Sequence, residues 1–137
     1  MCPVHEFPAD TKALASTSLL VADACEQLGF SEQLTGDILI SVDELVTNTI
    51  MHGLKYDATK TFQFEVTSFE DQIEIVIREK GEAFDPAEVA IPDTLASLED
   101  RPIGGLGIFF IRKLMDQFSY TVSNDGEKTF KMTKRKG

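Results

Sequence analysis

Apolar residues recur every three or four positions through the first part of the chain and at every second position further on. This change of period predicts helices followed by strands. Val4 to Phe7 reads as a short strand stopped by Pro8. Asp10 offers an N-cap to a helix that carries Leu14, Leu20, Val21, Cys25 and Leu28 along one stripe and closes at Gly29. Ser31 opens a second helix, with Leu34, Ile38, Leu45, Ile50 and Met51, which ends at Gly53. Gly36 makes its first two turns the least regular part.

Beyond a turn at residues 56–60, Phe62, Phe64 and Val66 alternate with polar residues, and so do Ile73, Ile75 and Ile77. Residues 68–72 read as the connection between two antiparallel strands with one buried face. Residues 86–103 contain Pro86, Pro92 and Pro102 among scattered charges, with a helical turn near 87–90, and the weak periodicity suits a lid over 86–105. Helical spacing returns from Ile108 to Phe118. Tyr120 and Val122, with Phe130 and Met132, then predict a hairpin over Asn124-Asp125-Gly126. The order is α+β: a two-layer α/β sandwich, with a mixed, mostly antiparallel sheet and helices on one face.

A length of 137 residues fits one domain spanning 1–137. The N-terminal segment lacks the basic start and apolar stretch of a secretory signal, and no apolar run is long enough to span a bilayer. Cys2 and Cys25 have no metal-type spacing, so the expectation is a cytoplasmic protein without disulfides, with Cys25 as a buried thiol. A net charge of −10 disfavours direct nucleic-acid binding and suits a basic protein partner, although solubility alone would also account for it. The basic cluster Lys131, Lys134, Arg135 and Lys136 reads as a solvated strand end.

Three segments carry candidate chemistry. Glu44, Asn48 and His52 are spaced i, i+4, i+8, so they drift by only about 40° per step around a helix. A carboxylate one turn from a carboxamide can serve a proton and a hard cation together: Asn oxygen suits Mg²⁺ and Glu can accept a proton from a hydroxyl. The triplet alone fits a solvated helix face equally well. Glu79-Lys80-Gly81-Glu82-Ala83-Phe84-Asp85 comes directly after a strand, where an acid and then a glycine would suit purine recognition or simply a turn. Gly104-Gly105-Leu106-Gly107 opens a helix, where backbone N–H groups can converge on an anion. The chain contains neither a GxxxxGK[ST] loop nor HRD and DFG motifs.

The order and spacing of these boxes are more specific than any one of them. Glu44…Asn48…His52-Gly53, then Glu79-x-Gly81-x-Ala83-Phe84-Asp85, then Arg101-Pro102-Ile103-Gly104-Gly105-Leu106-Gly107 with Leu114-Met115-Asp116, resemble the Bergerat-fold (histidine-kinase-like) ATPases. Within that superfamily the chain is most similar to the anti-sigma factor serine/threonine-protein kinases, over residues 7–132. The resemblance implies ATP and Mg²⁺ as cofactors, Glu44 as catalytic base and Asn48 as the metal ligand. It also implies a nucleotide-binding set of Asn48, His52, Glu79, Gly81, Phe84, Gly104, Gly105, Leu106, Gly107 and Thr129, with Glu79 and Thr129 at adenine. Glu79 stands where the family usually has Asp, and its extra methylene moves the carboxylate outward.

The implied function is phosphorylation of an anti-sigma factor antagonist in a partner-switching pathway, with a sigma factor as a further partner and room for a homodimer. Two alternatives stay open: a nucleotide-dependent protein-binding switch without phosphotransfer, and a scaffold that has kept the fold and lost ATP.

Overall fold

Among the described residues, five strands and three helices succeed one another as the change of period requires. A computed structural model describes residues 4–80 and 105–137, with side chains in the last helix described from Ile108 onward. The elements are β1 (Val4–Pro8), α1 (Lys12–Leu28), α2 (Glu32–Asn48), β2 (Thr61–Phe69), β3 (Gln72–Glu79), α3 (Gly105–Leu114), β4 (Gln117–Val122) and β5 (Lys128–Arg135). A π-helical turn, Thr49–Gly53, extends α2. The strands form one sheet in the order β1-β2-β3-β5-β4. A mixed sheet was expected, but the four pairings described are all antiparallel.

Period-two patterning sorts the sheet into an apolar and a polar face. Phe62, Phe64, Ile73, Ile75, Ile77, Phe130 and Met132 join Val21, Cys25, Ile38, Val42, Leu45, Ile108 and Ile111 of the helices in one core. The opposite face carries ion pairs, Arg78 to Glu65 at 3.2 Å and Lys131 to Glu74 at 3.8 Å. Each fully buried Ile or Phe contributes roughly 1.5–3 kcal/mol relative to exposure, so the inner rows of β2, β3 and β5 hold the layers together. Buried hydroxyls on the helices are satisfied within their own helix: Thr17 donates to the Ala13 carbonyl at 2.9 Å, Ser41 to Asp37 at 3.0 Å and Thr49 to Leu45 at 2.9 Å.

The helix ends obey local chemistry. Thr11, not the expected Asp10, holds the N-cap position of α1, which starts at Lys12, while the Asp10 carboxylate accepts from the Lys12 N–H at 2.8 Å. Gly29, with φ 77°, ends α1 in the left-handed conformation that a side chain would strain. Ser31 caps α2 by accepting from the Leu34 N–H at 3.2 Å. Ser18 donates to Asp43 at 2.8 Å and ties α1 to α2.

Three expectations need correction. The connection at 68–72 is shorter, because pairing continues to Phe69↔Gln72 and leaves Glu70 and Asp71 as the turn. The helix expected over 108–118 stops at Leu114. Asp116 then takes over the chain: its N–H donates to the Thr133 carbonyl at 2.9 Å and its carboxylate accepts from the Arg135 N–H at 2.6 Å, so Phe118 lies in β4. Lys134 is not simply solvated, since its Nζ donates to the Leu114 carbonyl at 2.6 Å at the end of α3. The 124–126 turn stands as expected, with the Gly126 N–H bonded to the Ser123 carbonyl. The Asp125 carboxyl is lowered to about 2 by the Ser123 hydroxyl first, then by the Glu127 N–H and Lys80. Of the lid expected over 86–105, residues 86–104 lie outside the described residues and Gly105 is the first residue of α3.

Candidate functional site

The C-terminal end of α2 and the turn after it bring the first motif against Glu79 at the end of β3. Asn48 is the last residue of α2 and 5% exposed, and its Nδ2 has no hydrogen-bond partner among the described residues. A buried amide donor left unpaired costs about 1–3 kcal/mol, so the position suits a group that a ligand completes. Glu44, one turn earlier, is half-buried. Burial raises its carboxyl above the usual carboxylate range, and the neighbouring Asp43 adds to the rise. A carboxylate biased toward holding a proton, one turn from an unsatisfied amide, can take a proton from a hydroxyl delivered there.

The π turn breaks the regular helix beyond Asn48. The Leu54 N–H reaches the Thr49 carbonyl at 2.9 Å, an i→i+5 bond. The turn is wider than an α-helical one, so the stripe of Glu44, Asn48 and His52 is regular only through Asn48. His52 lies within the turn, half-buried, and burial lowers its pKa below the ordinary imidazole value. The turn also brings Gly53 against β3: a Cβ at residue 53 would lie 3.1 Å from Cδ and Oε2 of Glu79. Gly53 is thus the residue that lets the acid of β3 reach the end of α2.

Glu79 ends β3, 3% exposed, on the helix-facing row that begins with Ile73, Ile75 and Ile77. Its Oε1 lies 2.7 Å from Nζ of Lys128, the first residue of β5 and its register partner. Lys128 was missed from the sequence, although its place two residues before Phe130 and four before Met132 puts it on the inner face. Thr129 is the corresponding correction. It pairs with Arg78 and Thr121, and strand alternation turns it to the outer face, away from Glu79.

Of the remaining expected residues, Gly105, Leu106 and Gly107 form the first turn of α3, as a helix-opening glycine box requires, and α3 packs against α2. Gly81, Phe84 and Gly104 lie outside the described residues. No group of three or more His, Cys, Asp or Glu side chains among the described residues could hold a metal ion.

Three helices layered on an antiparallel sheet, with an acid and an amide one turn apart and a glycine box opening the facing helix, define an ATPase domain of the histidine-kinase-like class. The family model described as a histidine kinase-like ATPase domain matches residues 7–134, and the chain belongs to that family. Among its curated relatives is the serine-protein kinase RsbW of Listeria monocytogenes, 30% identical over 115 residues that cover 81% of this chain and 73% of the relative. RsbW of Bacillus cereus is 30% identical over 134 residues, covering 94% and 81%.

Solved structures share the fold. A Pseudomonas aeruginosa SiaB–SiaC complex contains a chain that matches with a TM-score of 0.69 at 12% identity, covering 96% of this chain and 88% of that one. The RsbU and RsbW domains of a Mycobacterium tuberculosis protein match with a TM-score of 0.65 at 15% identity, covering 97% of this chain and 32% of that longer one.

Proposed function

We propose that the chain is an ATP-dependent protein serine/threonine kinase that phosphorylates an anti-sigma factor antagonist in a partner-switching pathway. The observation that carries the reading is the unpartnered, buried Asn48 amide one turn from a Glu44 carboxyl raised by burial. The names of its relatives, serine-protein kinases, supply the reaction. In this reading Glu44 takes the proton of the acceptor hydroxyl, the unpaired Asn48 Nδ2 would donate to a phosphate oxygen, and Asn48 Oδ1 would hold the Mg²⁺ that neutralises phosphate charge when bound. The first turn of α3 faces the triphosphate, and Glu79 reads the base. Phosphoryl transfer asks chiefly for positioning and charge stabilisation, which a rigid helix end and a helix N-terminus can provide.

A sigma factor as second partner and a cytoplasmic setting belong to the same proposal; no described helix is long and apolar enough to cross a membrane. Calorimetric titration with ATP, with and without Mg²⁺, tests the binding half. Metal-dependent binding is expected, and no heat with either form would overturn the reading in favour of a scaffold. A switch without phosphotransfer would bind equally well and is separated by tracking the γ-phosphate.

A further inference from the structure

We propose that Lys128 is a second base-reading residue and that, with Glu79, it lets the site accept 6-oxo purine triphosphates as well as ATP. The inference rests on the proposed nucleotide site and goes beyond it in naming a specificity determinant.

The Glu79 carboxylate does not stand alone at the end of β3. Lys128 Nζ lies 2.7 Å from it, with the two side chains 2% and 1% exposed. Both continue apolar rows, Ile73, Ile75 and Ile77 on one strand and Phe130 and Met132 on the next, where an ion is costly unless paired. Both lie at strand ends, and Glu79 packs against Gly53, one π turn from Asn48. A base that reaches Glu79 therefore also meets an ammonium.

This changes the hydrogen-bond code. An ionised carboxylate only accepts, so by itself it suits the 6-amino group of adenine and opposes a 6-oxo group. An ammonium only donates, through three N–H bonds. Together they can serve adenine, with Glu79 taking the 6-amino group and Lys128 giving to N1. Hypoxanthine needs the two contacts exchanged, with Lys128 giving to O6 and Glu79 taking N1–H, which the base reaches by shifting one hydrogen-bond position along the 2.7 Å pair. The electrostatic ground for rejecting a 6-oxo base is gone.

The test is competition of ITP against fluorescently labelled ATP with Mg²⁺ present. In the unmodified protein ITP should bind within about tenfold of ATP, whereas a lost buried contact would open a gap of roughly tenfold to hundredfold. Lys128→Met should widen the gap by about tenfold or more. Should that variant fail to fold, Glu79→Met/Lys128→Met removes both charges, and ATP and ITP should then bind it with equal, weakened affinity. ATP binding with ITP excluded in the unmodified protein, or a preference unaltered in a folded variant, would overturn the inference and leave the kinase reading standing. Failure of every triphosphate to bind would overturn both.

Discussion

The Glu79 carboxylate packs against Gly53 so closely that a Cβ at residue 53 would lie 3.1 Å from its Cδ. Gly53→Ala should push the acid aside and cost about 1–3 kcal/mol, as overpacking does. Shortening the acid should give back part of that loss. In urea denaturation, Gly53→Ala/Glu79→Asp is expected to lose less than the sum of the two single variants. Strict additivity would mean that the two residues do not meet.

The Glu79–Lys128 pair is buried on both sides. Lys128→Met leaves a buried carboxylate without its cation and should cost about 3–5 kcal/mol, whereas replacing both residues by Met is often neutral or stabilising. Denaturant midpoints of the two variants check this. Equal losses in both would show that the strand ends need the ions for more than each other.

Both residues were legible in the sequence, but only one was read. The row of Ile73, Ile75 and Ile77 runs on to Glu79, and the row of Phe130 and Met132 runs back to Lys128, so opposite charges on inner rows were there to be matched. Thr129 was chosen by resemblance, and alternation along β5 overrules it. Ser31, Gly29 and the two hairpins were readable because caps and turns are set by a few adjacent residues. The end of α3 was not. Ile108, Ile111, Met115 and Phe118 keep helical spacing while Phe118 and Tyr120 also alternate, and it is hydrogen bonds from Asp116 to residues nearly twenty positions away that choose the strand. The π turn adds one residue to a helical circuit, which a fixed period cannot register.

Asn48 is expected to matter for binding and little for stability. Its Nδ2 has no hydrogen-bond partner among the described residues, so Asn48→Ala forfeits no bond there, relieves an unpaired donor, and the urea midpoint should hold or rise. Magnesium-dependent ATP affinity should nevertheless fall by about tenfold or more, the worth of one charge-assisted contact. Calorimetry with and without the metal checks this. An unchanged metal dependence would remove Asn48 from the site.

Glu44 sets the pH dependence. The base works only when deprotonated, and a pKa raised by burial and Asp43 means that it gains its proton at higher pH than an ordinary glutamate. The rate of phosphotransfer should therefore fall on acidification along a limb lying above the usual value of about 4.3. Glu44→Gln should abolish that limb. A limb at the ordinary carboxylate value, or one that survives the substitution, would assign it to another group.

The most direct measurement is transfer of the γ-phosphate of labelled ATP to a small acceptor protein of the anti-sigma factor antagonist type encoded beside this chain. The parent protein and Glu44→Gln are compared at saturating Mg²⁺ and ATP. Label should appear on a serine or threonine of the acceptor with the parent, and about 10²–10⁴-fold more slowly with Glu44→Gln, the usual contribution of a general base, while both bind ATP alike. Binding of ATP without any transfer by the parent would contradict the kinase, and transfer by Glu44→Gln at the parent rate would contradict the role of Glu44.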